Sequence, residues 1–278
     1  MMKETVDTLG NQKITNYALN QPSKGAFIKE VTTGLLPPPP YFGMNVAMNK
    51  KGYDSFDKVV QGGLTPLNID KFKEAVQYTD VLILDTRSND DFAKGFIPKS
   101  INIGLNGDFA PWAGALIVDV KQFILLVTDI GKEEETVTRL SRVGFDNVLG
   151  YLAGGYEAWE RSGEQSNSID RITAEELSSY FDINKSFVID VRKESEYAAE
   201  HVAESFSKPL AYLTDWINTI NSKEHFYLHC TGGYRSMIAA SILKARGFNN
   251  FTEISGGFNA IIKTNIPKTD FVCQSKTS

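Results

Sequence analysis

The chain has 278 residues, carries a formal net charge of -5, and is 42% hydrophobic and 23% charged. That profile fits one or two soluble globular domains with a sizeable core, and it excludes the clustered basic surface that nucleic-acid binding needs. No apolar run is long enough to span a bilayer, the opening MMKETVDTLGNQ lacks the apolar core of a secretory signal, and two cysteines make no disulfide framework, so the expectation is a cytoplasmic protein with free thiols and no membrane contact.

In chain order, residues 1–63 read as an N-terminal arm or connector. Within it, the stretch from Ser23 to Val31 has the pattern of a short amphipathic helix, and four consecutive prolines at 37–40 favour an extended segment. That proline run is a linker packed over the domains or a docking motif for a partner. From residue 64 the pattern changes to short apolar strands alternating with helices, the signature of α/β units around a mainly parallel sheet. The strands read VLILD from Val81, FILLV from Phe123, FVID from Phe187 and HFYLHC from His225. Their unbroken apolar character suits strands covered on both faces. Thr173 followed by Glu176 is a capping box that starts a helix, and MIAASILKARGF from Met237 is a helix closed by a glycine stop.

The pattern occurs twice, at a spacing of roughly one hundred residues. LILDTR (82–87) returns as FVIDVR (187–192), Asp91-Phe92 as Glu196-Tyr197, Gly144-Phe145 as Gly247-Phe248, and Gly154-Gly155-Tyr156 as Gly256-Gly257-Phe258. A period this long means duplicated domains, placed here at 64–165 and 166–270. Asp85 and Arg87 recur as Asp190 and Arg192, which marks them as fold-holding residues. The segment from Gly104 to Gly114 has no counterpart in the second unit and is a candidate lid, an interface loop or a plain insertion.

The second unit carries the chemistry. Cys230 leaves an apolar strand and enters the loop Thr231-Gly232-Gly233-Tyr234, followed by Arg235 and Ser236 at a helix start. Successive loop amides and the positive helix end form an anion-binding nest that favours thiolate over thiol. The glycines let the backbone curl, Arg235 adds a permanent charge with a fork of donors, and Ser236 adds a hydroxyl donor. The bland alternative is a buried, inert thiol. Alignment of Phe123 with Phe226 places Val127 opposite Cys230 and Lys132 opposite Arg235. The first unit has no cysteine, and Glu133, Glu134 and Glu135 sit near its helix start, so it is expected to be catalytically inert. Three histidines, His201, His225 and His229, show no HxH or HExxH spacing, and neither a metal nor an organic cofactor is expected.

The motifs DVR, EY, HVA, CTGGYRS and SGGF, in this order, resemble a rhodanese (sulfurtransferase) domain, and residues 65–266 resemble two in tandem. The resemblance implies that Cys230 accepts a sulfane sulfur as a persulfide and passes it to a thiol, sulfite or cyanide. It implies Arg235 as a second catalytic residue, with Thr231, Gly232, Gly233, Tyr234 and Ser236 holding the substrate. The sequence does not name the donor: a small one, thiosulfate or a persulfide, is expected, with 3-mercaptopyruvate and a protein persulfide open beside it. Four residues separate Cys230 from Arg235, one fewer than in related phosphatases. A cysteine-dependent phosphatase or arsenate reductase, and a non-catalytic binding module, stand as alternatives. The arm from Thr15 to Asp57 resembles the connector of bacterial fusions between a metallo-β-lactamase-fold persulfide dioxygenase and rhodanese domains. That implies a separate dioxygenase as a partner. Cys273, near the tail, is a candidate resolving thiol or a bystander.

Overall fold

The computed structural model describes residues 6–33, 42–43, 46, 50, 52, 55–77, 80–183 and 185–272. The proline run at 37–40 and Cys273 lie outside the described residues. The chain divides into an N-terminal segment, Met1–Pro39, and a larger body, Pro40–Ser278. In the first, Thr8 caps α1 (Leu9–Thr15) and Ser23 caps α2 (Lys24–Thr32), each side-chain oxygen accepting from a backbone N–H of the first turn. The second helix is the one the Ser23–Val31 pattern predicts. Neither helix buries a residue.

The larger body includes α3 (Phe56–Gly63) and then two parallel sheets. The first sheet contains β1 (Pro66–Leu67), β2 (Val81–Asp85), β3 (Ile101–Asn102), β4 (Phe123–Val127) and β5 (Val148–Leu152), in spatial order 1-5-4-2-3. Helices α4 (Ile69–Val76), α5 (Asn89–Lys94), α6 (Phe109–Leu116), α7 (Glu133–Ser141) and α8 (Gly155–Arg161) connect and follow the strands. The second sheet repeats the order with β6 (Arg171–Thr173), β7 (Val188–Asp190), β8 (Phe206–Ser207), β9 (Phe226–His229) and β10 (Phe251–Ser255). Its helices are α9 (Ala174–Ser178), α10 (Glu194–Ala199), α11 (Leu213–Trp216), α12 (Tyr234–Ala245) and α13 (Gly257–Ile261). The Thr173–Glu176 capping box forms as its residues require.

Helix α12 explains how the repeats join. Every residue from Ser236 to Leu243 is buried, so the helix is covered all round. Its Ser241 hydroxyl accepts the backbone N–H of Asn102 in β3 at 2.9 Å. Residues of both sheets, including Leu84, Leu126, Ile189, Leu228 and Met237, form one apolar cluster. Each sheet keeps a smaller cluster on its other face, around Phe72 and Trp159 in one and Leu177 and Phe258 in the other. Among the described residues, no helix is long and apolar enough to cross a membrane.

Pairing register corrects one sequence alignment. Val127 pairs with Asp85 as His229 pairs with Asp190, so Thr128, not Val127, stands where Cys230 stands. The error has a physical source. Thr128 to Gly144 is one residue shorter than Cys230 to Gly247, so an ungapped alignment that pairs the two glycines runs one residue out of step on β4. The shortfall lies in the helix, Glu133–Ser141 against Tyr234–Ala245, because the loop before it is the longer one in the first repeat, 128–132 against 230–233. Ile124 and Leu125 pair with Val148 and Gly150, and this bulge at Leu149 restores the offset on β5. The same register puts Tyr151 opposite Glu253, because Tyr151 faces Pro66 on β1 and Glu253 faces Arg171 on β6.

The two Asp–Arg repeats behave as a fold device. Asp85 and Asp190 are fully buried, and each is held by its arginine two residues on, with Nη2–Oδ2 distances of 2.6 and 2.7 Å. Each guanidinium also caps a backbone carbonyl, Gly95 or Glu200, and lies over a ring, Tyr156 at 4.1 Å or Phe258 at 4.0 Å.

Candidate active site

Cys230 follows β9, a central strand, at the carboxyl edge of the parallel sheet. Ligands of open α/β sheets gather at such edges. The side chain is 1% exposed and forms the floor of a cavity of about 580 Å³. The Gly233 N–H donates to Sγ at 3.2 Å, and the Ser236 hydroxyl lies 3.4 Å from Sγ. Gly233 has φ +104° and precedes the first turn of α12, a conformation that L side chains rarely adopt. The loop is fixed from below. The N–H groups of Phe258 and Asn259 donate to the Cys230 and Thr231 carbonyls at 2.7 and 3.0 Å.

Arg235 sits differently from its sequence role. Its fork is engaged with Glu196, at 2.6 Å from Nη1 to Oε2 and 2.9 Å from Nη2 to Oε1. Nη2 also donates to the Thr231 hydroxyl at 2.6 Å, and that hydroxyl donates to Glu196 at 2.7 Å. Burial alone would raise the Glu196 pKa, but the hydrogen bonds from Arg235, Thr231 and the Lys193 N–H outweigh it and hold it near about 2. The cation therefore stiffens the loop and lines the cavity as half of an ion pair.

Tyr234 is the residue the first unit holds. Its hydroxyl donates to the Gly104 carbonyl at 2.8 Å, and a Cβ on Gly107 would fall 2.3 Å from its ring. Burial pushes the phenol's pKa up. The segment 104–114 thus packs on the cysteine loop, and Asp108 and Trp112 from it line the cavity with Lys193, Ser195, Glu196 and Gly232. Tyr234→Phe is expected to lose about 1 kcal/mol in chemical denaturation, the net value of one hydrogen bond.

Sequence reasoning brought together Cys230, Thr231, Gly232, Gly233, Tyr234, Arg235 and Ser236, and all seven meet at this loop. It missed Lys193, Asp108 and Trp112 as cavity residues, and Glu253. Glu196 was visible as the repeat of Asp91, but without a role. The signal for Glu253 is a lone carboxylate inside the strand FTEIS. The histidines are structural. His201 Nδ1 meets the Tyr197 carbonyl at 2.7 Å, His225 Nε2 meets Thr252 at 2.9 Å, and His229 Nδ1–H donates to the Cys230 carbonyl at 3.1 Å. Burial pushes the His229 pKa down, which keeps the ring neutral behind the site.

A family model for the rhodanese-like domain matches residues 68–162 and 173–264. The Bacillus subtilis protein YrkF, a candidate sulfur carrier, is 30% identical over 99 residues, which is 35% of this chain and 54% of that protein. The chain thus spans about half the length of that relative. YqhL of the same organism is 30% identical over 94 residues, 34% of this chain and 73% of its own. Among solved structures, a thiosulfate sulfurtransferase of Pseudomonas aeruginosa aligns over 75% of this chain and 44% of its own, at 18% identity and a TM-score of 0.34. With both sheets matched, each with the same strand order and the same buried Asp–Arg device, the chain belongs to the rhodanese-like domain family.

Proposed function

We propose that the chain is a sulfurtransferase that carries a sulfane sulfur on Cys230 as a persulfide, with the chemistry confined to 166–270. The observation that carries this reading is the placement of Sγ: it forms the cavity floor and receives the Gly233 N–H, with the Ser236 hydroxyl close by. A thiolate there attacks the outer sulfur of a donor. The donor's S–S bond breaks and its electron pair leaves with sulfite, if the donor is thiosulfate, or with an organic thiolate. The new Cys230 S–S⁻ group extends into the cavity, where loop amides stabilise its charge. A thiol, sulfite or cyanide then attacks the outer sulfur and returns the thiolate. No external oxidant is needed, since sulfur moves with its oxidation level kept.

Lys193 and Arg235 are balanced at the rim by Asp108 and Glu196, so the cavity admits a small organic persulfide as well as an inorganic donor. The first unit, with Thr128 in the cysteine's place, serves as the opposite wall through 104–114. The test is single-turnover loading. The protein is incubated with thiosulfate, and separately with glutathione persulfide, and its intact mass is taken. A gain of one sulfur atom, discharged by cyanide and lost in Cys230→Ser, is expected. No gain from either donor sinks the reading.

A further inference from the structure

Behind the cysteine lies a carboxylate for which the sulfur-transfer scheme has no use. Glu253 is fully buried on β10. Its Oε2 accepts Arg171 Nε at 2.8 Å, and its Oε1 accepts the Ser236 hydroxyl at 2.7 Å. The same hydroxyl is 3.4 Å from Cys230 Sγ. One hydroxyl therefore stands between a buried thiol and a buried carboxylate, with the Gly233 carbonyl as a third acceptor at 3.2 Å. In the unit without a cysteine the equivalent position is Tyr151. A buried carboxylate is costly, and a strand packed this tightly accepts an apolar residue at lower cost.

We infer that Glu253 is a positioning residue that exchanges one proton with the Cys230 thiol through the Ser236 hydroxyl. The step is balanced. The S–H proton passes to Ser236 Oγ as the Ser236 proton passes to Glu253 Oε1, leaving a thiolate and a neutral carboxylic acid, with no change in oxidation level. In the reverse direction Glu253 returns the proton when a thiol is regenerated. Two anions are thereby avoided in one apolar site, because the pair holds a single negative charge. Burial pushes the Glu253 pKa up against the pull of Arg171 and Ser236.

Other charges face the pair. Arg171 on β6 and, through it, Asp90 of α5 at 2.7 Å lie on the Glu253 side. Arg235 and Glu196 lie on the cavity side of Cys230, with His229 and Asp190 beneath it. These are fixed ion pairs or a neutral ring. Glu253 and Cys230 are the groups left to share a proton through the Ser236 hydroxyl.

The inference rests on Cys230 being the reacting atom, and its test does not need sulfur transfer. The rate of iodoacetamide alkylation is followed against pH by mass spectrometry of the Cys230 peptide. The wild type is expected to show two steps, the lower one opening partial reactivity as the pair loses its first proton. Glu253→Gln keeps the shape and one accepting oxygen but cannot hold the proton, and is expected to show one step. Ser236→Ala removes the bridge and leaves Glu253 on Arg171, and is expected to draw the two steps together. It reports on the pair even where Glu253→Gln does not fold. A wild-type profile with a single step, or a two-step profile unchanged in Ser236→Ala, overturns the relay. A protein that loads no sulfur yet keeps the two-step profile loses the proposed activity and keeps the relay.

Discussion

Gly257→Ala is expected to lower stability by about 2–4 kcal/mol and to cut sulfur loading by more than the loss of folded protein explains. The residue has φ +56°, where an alanine is strained by about 1 kcal/mol. Its Cβ would also fall 2.4 Å from the Cys230 carbonyl oxygen and 2.9 Å from the Thr231 carbonyl carbon. Those atoms are backbone and cannot swing aside, so an overpacking cost of about 1–3 kcal/mol follows. The only relief is movement of the loop itself. That movement breaks the hydrogen bonds by which Phe258 and Asn259 hold the loop carbonyls, and it carries Sγ off its Gly233 donor. Gly247→Ala supplies the control. Its φ is +87°, but nothing lies within 4 Å of the added Cβ, so strain alone should act, at about 1 kcal/mol, with loading unchanged. Chemical denaturation measures the first difference and intact mass the second. Equal losses in the two variants would show that backbone strain, not contact with the cysteine loop, makes Gly257 necessary.

The sequence makes the local parts of this molecule legible. A strand apolar on both faces, a capping box, a glycine after a helix and a cysteine followed by two glycines are all decided by near neighbours. The repeat was legible for the same reason, since its motifs are strand ends and turns. What escaped was set by distance. Glu196 and Arg235 are 39 residues apart, and only the β7–β9 pairing brings α10 beside the cysteine loop. Arg171 meets Glu253 across 82 residues through β6–β10 pairing. The slip at Val127 escaped because α7 is shorter than α12 while the glycines after them match, and helix length leaves no mark in composition. The segment 104–114 was visible as an insertion, but its contact with Tyr234 depends on packing of the two sheets around α12.

Arg235→Ala and Glu196→Gln remove opposite halves of one ion pair, and the expected results are not mirror images. Loss of Arg235 leaves a half-buried carboxylate facing the sulfur that must carry negative charge. It also removes the donor that fixes the Thr231 hydroxyl. Loading from thiosulfate is expected to slow about 10–100-fold, less than the about 10²–10³-fold for removing one donor from a shielded site, because Arg235 is already half neutralised by Glu196. Loss of the Glu196 charge instead leaves Arg235 as an uncompensated cation at the cavity, so loading from the thiosulfate dianion should hold or rise. Stability should fall in both. The Glu196 pKa lies at about 2, below its ordinary 4.5, so the pair's contribution is fully present above pH 4.5 and is lost as pH falls through about 2. Full linkage would give about 3 kcal/mol, which solvent screening of a partly exposed pair reduces to about 1–2 kcal/mol. Wild type should therefore lose that margin between those pH values, while Glu196→Gln, already without it, should show a flatter acid limb in urea denaturation. If Glu196→Gln slows thiosulfate loading as much as Arg235→Ala, the pair acts as a brace for the loop and the net charge of Arg235 plays no part in holding the sulfur.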